Sequence, residues 1–331
     1  MADSIPAQGD LQLLARLHDV AGHVAGRFAV AVVNLESEPH VKLALIRASA
    51  DTVFEIGSIT KALTGMLLAE IVQEGRLSLD ATVEEIAPTT EGSELASVTL
   101  LELATHTSGL PRMPVGLAGG FSALPFALVG GNPYRSAPLS VIEVAARQPL
   151  HGRGQRRYSN LGGALVGELL AGALSANYSR LLAERILHPL GMESTGVSVK
   201  GHVAPWGRSS AGLPREPWVL RGYASAGGLF SAIGDMAQLA SGVLDGSAPG
   251  VAAIHSIEGV KTDRPNRRSG LFWITDGPPN QVPAITWHNG GTGGYSSFLA
   301  LIPDAGRAVI ALQSVGGRSQ RIQQIALGLI A

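Results

Sequence analysis

The sequence predicts an α+β fold, an antiparallel sheet flanked by helices with an all-helical segment inserted into it. Two observations carry this. Apolar, β-branched runs gather at both ends of the chain: "RFAVAVVNLE" and "HVKLALIRAS" near the start, and "GLFWITDG", "AITWHNGG", "SSFLALIPD" and "RAVIALQSV" between residues 270 and 315. Between about 76 and 205 the texture changes to helical stretches separated by Gly/Pro-rich loops. Strands from the two ends that share one sheet make a discontinuous domain of 1–75 and 206–331 around a helical insertion of 76–205. An active site is expected between the two.

The elements follow in order. Residues 11 to 26 read as an amphipathic helix, with Leu11, Leu14, Leu17 and Val20 at helical spacing. The two early apolar runs, separated by a polar turn, read as a hairpin. Residues 58 to 75 place Ile59, Leu63, Met66, Leu67 and Ile71 at helical spacing and stop at Gly75, as a core helix would. "VTLLELATHTSG", "LSVIEVAARQ", "GGALVGELLAGALS" and "YSRLLAERILHPLG" supply helices of the insertion, and 317 to 331 a closing helix.

Composition narrows the function. A chain of 331 residues buries a large core, and 45% hydrophobic with 15% charged residues is globular. A net charge of −1 gives no basic surface for nucleic acid or an anionic membrane. The absence of cysteine removes disulfides, thiolate catalysis and cysteine-held metal clusters. No H-E-x-x-H or comparable spacing calls for a metal, and neither G-x-S-x-G nor a phosphate-loop pattern occurs. No metal or cofactor is therefore expected. The first residues lack a basic and then apolar leader, so a cytoplasmic protein is expected if Met1 is native. "RFAVAVV" is too short to span a bilayer.

Three short patterns carry possible chemistry. In "FEIGSITKALTG", Ser58 and Lys61 stand three apart at a helix start, hence on one face and beside unpaired N–H groups. A desolvated lysine can take a serine proton, and the helix terminus favours a developing oxyanion. Lysine occurs only at 42, 61, 200 and 261 in a chain with 25 basic residues, so a removable proton at 61 stands out. The bland alternative is an N-cap serine with a solvated lysine, and S-x-x-K by itself arises by chance about once in a chain this long. In "RRYSNLGG", Tyr158 can relay protons and the Asn160 amide can hold a carbonyl, against a turn tyrosine with a capping asparagine. In "WHNGGTGGYSS", glycines in a strand permit close approach of a ligand, and His288 supplies a donor that is cationic or neutral near neutral pH. His106, in "THTSGLP", reads as structural.

Taken together, S-x-x-K, Y-x-N about 100 residues on and H-x-G about 130 further resemble the penicillin-recognising serine hydrolases. The branch they resemble contains class C β-lactamases, D-alanyl-D-alanine carboxypeptidases and β-lactamase-like family VIII esterases. "ELATHTSGLP", "YSNLGGALVGELL", "ILHPLGMEST" and "GYASAGGLFSAIGDMAQLA" are similar to connecting segments of that family, so the likeness runs from about 28 to 315. It implies the β-lactamase-like fold and a covalent acyl-enzyme on Ser58. Lys61 and Tyr158 would exchange protons with Ser58, either as the formal base. The backbone N–H groups of Ser58 and Gly291 would form the oxyanion hole, His288, Asn289 and Gly290 would contact substrate, and Asn160 would hold the acyl side chain's amide or order Lys61.

Two departures from the family pattern shape the expected activity. H-N-G stands where class C β-lactamases have K-T-G, which exchanges a permanent cation for a weaker, pH-dependent one and disfavours efficient lactam hydrolysis. Gly227, in "SAGGLFS", falls near the position of an aromatic wall and predicts a more open pocket. A carboxylic ester hydrolase or acyltransferase acting on a small acyl substrate is thus expected. A D-amino-acid peptidase or weak β-lactamase is the nearest alternative, and a catalytically silent binding protein the remaining one. Loops at 112 to 137 and 202 to 222 are expected to shape the pocket.

Overall fold

In a computed structural model of the chain, residues 7–38, 40–115, 131–132, 134–198, 206–277 and 283–330 are described. Strands from both chain ends build one sheet. The strands are β1 (Gln8–Gly9), β2 (Phe28–Asn34), β3 (Val41–Ile46), β4 (Val53–Glu55), β5 (Gly207–Arg208), β6 (Pro214–Arg215), β7 (Phe230–Ala232), β8 (Arg267–Ser269), β9 (Ile274–Asp276), β10 (Ile285–Gly291), β11 (Ser296–Ile302) and β12 (Arg307–Gln313). Eight of them form an antiparallel sheet in the order β1-β3-β2-β12-β11-β10-β9-β8. The join between the chain ends is the β2–β12 pair, Val32 opposite Val309. β4 and β7 make a separate two-stranded ribbon, and β5 and β6 another.

The strands are apolar on both faces because both faces are covered. Phe28 and Val30 of β2, Phe298 and Ala300 of β11 and Val309 and Ala311 of β12 turn to one side. There they meet helix α1 (Leu11–Ala21) and the C-terminal helix Ser319–Ile330. The alternate residues Ala29, Ala31, Leu299, Leu301, Ile310 and Leu312 face the opposite layer, which contains α2 (Ile59–Gln73) and the helix Ile233–Leu244. The described part of 76–205 adds no strand to the eight-stranded sheet. Its helices, among them Leu100–Ala104 and Asn160–Ala173, join the same apolar cluster as α2.

Several expected elements change in detail. The first helix ends at Ala21, where Gly22 turns to φ 59, and it buries Leu13, Leu17 and Ala21 while Leu11 is 82% exposed. An i, i+4 stripe one step away from the one expected therefore meets the sheet. The helices of the insertion are short: "VTLLELATHTSG" keeps only Leu100–Ala104 and "LSVIEVAARQ" only Ile142–Ala146. In "GLFWITDG" only Ile274–Asp276 is strand. β4, β7 and β8 were not anticipated; each has three residues, too few for a period to register.

Candidate active site

Ser58 lies at the junction of the β4–β7 ribbon and α2. β4 is held in register by Glu55 opposite Phe230, and the Ile56 N–H donates to Leu229 O at 3.1 Å. Gly57 then takes φ +51, and a Cβ there would lie 2.6 Å from Gly291 N, so only glycine lets the end of β10 come this close. Ser58 has the backbone position of an N-cap without its hydrogen bond. Thr60 instead ties down the turn, its hydroxyl donating to Gly57 O at 2.7 Å. The Ser58 hydroxyl is left for other partners.

Those partners are the two expected ones. The Tyr158 hydroxyl donates to Ser58 Oγ at 2.7 Å, and Lys61 Nζ donates to the same oxygen at 3.4 Å. Lys61 also donates to Asn160 Oδ1 at 2.9 Å and to the Ala226 carbonyl, and it is fully buried. The reading of a capping serine with a solvated lysine does not survive this burial. Loss of solvent pushes the Lys61 ammonium below its ordinary value, opposed by the neighbouring Tyr158 and reinforced by Arg112.

Tyr158 is fixed by a clamp that the sequence did not reveal. His106 has φ 62, and its carbonyl accepts from Arg157 N at 2.7 Å while its Nδ1 accepts from Ser159 N at 3.2 Å. The His106 ring packs 4.6 Å from the Tyr158 ring and 5.1 Å from Phe272. Ser159, not Asn160, caps the following helix, accepting from Gly162 N at 2.8 Å. This leaves the Asn160 amide free for Lys61. His106 is thus structural as expected, but it supports the tyrosine directly.

A cavity of about 260 Å³ opens over Ser58. Asn160 and Gly291 line it, together with Arg112, Tyr134, Trp218, Leu220 and Tyr223. Gly227 also lines it, with the Leu220 side chain against it, and the aromatic wall comes from Tyr134, Trp218 and Tyr223 instead. Among the described lining residues Arg112 alone has a full charge, and its guanidinium lies 5.5 Å from the Tyr158 ring centre. Of the expected pocket loops, 116–130, 133 and 202–205 lie outside the described residues.

His288, Asn289 and Gly290 are not among the lining residues. His288 is 2% exposed, and its Nδ1 is 2.7 Å from Asn289 O. Burial, with Lys61 nearby, pushes it down to about 3. The expected pH-dependent cation on β10 is therefore absent near neutral pH, because solvation of the imidazolium is lost. Asn289 falls on the same face of β10 as Trp287, which packs into the layer of the C-terminal helix. A Cβ on Gly290 would lie 2.0 Å from Ile56 O, so this glycine serves the contact between β10 and the turn before Ser58.

Arg112, Tyr134 and Trp218 lie in the two loops expected to shape the pocket, but no spaced pattern singled them out, and nothing in the sequence tied His106 to Tyr158. Glu55, in the apolar run "TVFEIG", carried a faint signal: a lone carboxylate in a buried strand. Among the described residues no three or more His, Asp or Glu side chains converge as a metal site would require, and no helix is long and apolar enough to cross a membrane.

The family model described as Beta-lactamase matches residues 20–328. The D-alanyl-D-alanine-carboxypeptidase/endopeptidase AmpH of Escherichia coli is 27% identical over 291 residues, covering 78% of this chain and 70% of AmpH. A beta-lactamase of Pseudomonas fluorescens is 24% identical, covering 79% of each chain. Among solved structures, a class C beta-lactamase from Rhodobacter sphaeroides superposes with a TM-score of 0.77 at 20% identity, over 96% of this chain and 98% of that one.

Proposed function

The chain belongs to the β-lactamase family, and from that premise we propose that it is a serine hydrolase working through an acyl-enzyme on Ser58, with carboxylic esters as substrates. The observation that carries the reading is the Ser58 hydroxyl held by both Tyr158 and a fully buried Lys61. Ser58 Oγ attacks the acyl carbonyl carbon and passes its proton to Lys61 or Tyr158. The carbonyl oxygen becomes an oxyanion facing the N–H groups of Ser58 and Gly291. The C–O bond to the leaving group breaks, and the leaving alcohol takes that proton. Water, or another alcohol or amine in the transferase version, then attacks the acyl-enzyme by the reverse path and frees Ser58.

The state of His288 supports esters over lactams in this reading. A β-lactam carries a carboxylate that a permanent cation on β10 would hold, and here that position is a buried imidazole pushed down to about 3. A second reading, D-amino-acid peptidase or weak β-lactamase activity, has support in the names of the AmpH and Pseudomonas relatives.

The test is intact-protein mass after exposure to p-nitrophenyl esters of several chain lengths and to a penicillin, with Ser58→Ala alongside. An adduct that requires Ser58, with release of p-nitrophenol, supports the hydrolase. The same adduct from penicillin with none from the esters would favour the second reading. No adduct and no hydrolysis of any reagent would defeat both.

A further inference from the structure

Glu55 ends β4, three residues before Ser58, and is only 3% exposed. Its two carboxyl oxygens have different partners: the Trp218 backbone N–H donates to Oε1, and the Thr292 hydroxyl donates to Oε2. Both partners line the cavity over Ser58. No described residue forms an ion pair with Glu55. Phe230 lies opposite on β7, and the Tyr295 phenol is the titratable group in its field. Glu216, two residues before Trp218, is taken up by Arg135 at 2.8 Å and Asn132 N at 3.0 Å, and Arg27 acts on Tyr295. Burial without a counter-charge pushes the Glu55 carboxyl up to about 7, against the pull of its two donors.

The two partners dictate what each protonation state does. An ionised carboxylate can only accept, so the Thr292 hydroxyl must donate to it. A protonated carboxyl has one O–H. The Trp218 N–H cannot accept, so that proton belongs on the oxygen facing Thr292. Thr292 Oγ1 then becomes the acceptor, and its own hydrogen is released to another partner. We propose that Glu55 is a positioning residue that sets the hydrogen-bond polarity of Thr292 in the cavity: protonated Glu55 frees the Thr292 hydroxyl to donate to an acceptor on the acyl substrate, and ionised Glu55 withdraws that donor. Only the substrate part of this inference rests on the hydrolase reading.

The test uses p-nitrophenyl oxoalkanoates with the keto group at successive chain positions. Each kcat/KM is divided by that of the unsubstituted ester, so that ionisations common to both, such as that of Lys61, cancel. For at least one chain the ratio should fall about fivefold, one neutral hydrogen bond, from about pH 6 to about pH 8. Glu55→Gln presents a fixed N–H to Thr292 and should hold the acid-side ratio across the range. Thr292→Val should give a low, flat ratio, and Thr292→Ser should restore the step. A step that persists in Glu55→Gln or Thr292→Val, or no step in any wild-type ratio, overturns the proposal. Infrared difference spectra supply a readout without turnover: a buried carboxyl band should bleach over the same pH range and be missing from Glu55→Gln. If neither ester class releases p-nitrophenol, the hydrolase reading fails instead; the infrared band then decides this inference, and its absence overturns it.

Discussion

Lys61 Nζ stands 3.4 Å from Ser58 Oγ while its other contacts, Asn160 Oδ1 at 2.9 Å and the Ala226 carbonyl, are pure acceptors. A neutral amine has two N–H groups for those acceptors and a lone pair left for the serine proton; an ammonium has a third N–H for Ser58 Oγ. Both states satisfy every partner, so a proton can cross between Ser58 and Lys61 without other rearrangement.

The acylation rate should therefore rise with pH as Lys61 loses its proton, since burial lowers that group's pKa and only the neutral amine accepts. Single-turnover release of p-nitrophenol across a pH series measures this. Lys61→Met, which keeps the apolar stem, should slow acylation by roughly 10²- to 10⁴-fold, the range for a positioned base. Full acylation by Lys61→Met would remove Lys61 from the mechanism.

Among the described residues, Arg112 carries the one full charge on the cavity lining. Acyl chains ending in a carboxylate should accordingly be preferred over alkyl chains of equal length. Changing Arg112 to Gln should reduce the preference for a p-nitrophenyl glutarate half-ester over the pentanoate by on the order of tenfold, as for a charged hydrogen bond. The ratio of the two kcat/KM values is the readout, and an unchanged ratio assigns the arginine no part in selectivity.

His106→Phe keeps a ring against Tyr158 and Phe272 but deletes the acceptor for Ser159 N. A buried N–H left without a partner costs about 1–3 kcal/mol. Urea unfolding should show that loss. The Tyr158 hydroxyl should also be less firmly held, lowering kcat more than it raises KM.

Glu55 and His288 should pull stability in opposite directions as pH changes. The Glu55 carboxyl is raised from its ordinary 4.5 to about 7, so its contribution is full below about 4.5 and is lost as pH rises through 7. His288 is lowered from 6.5 to about 3, so its contribution is full above 6.5 and is lost as pH falls toward 3. Glu55→Gln should gain on the wild type as pH climbs from 4.5 to 7, by up to about 3 kcal/mol. Urea midpoints at three pH values would show it; a difference independent of pH would mean that Glu55 does not titrate in this range.

The sequence by itself determined what depends on local geometry. The period of 58–75 makes α2, and three residues along a helix put Ser58 and Lys61 on one face whatever surrounds them. Alternation and β-branching made the long strands β2, β10, β11 and β12 legible for the same reason. Only the tertiary structure decided the rest. It brings Tyr158 onto Ser58 from 100 residues away, through the His106 clamp. It takes Lys61 and His288 out of water and so changes which of them can carry charge. It also binds Glu55 to Trp218 and Thr292, from two distant segments. Spacing along a helix is a property of the backbone, whereas desolvation and long-range pairing belong to packing, which no short stretch of sequence contains.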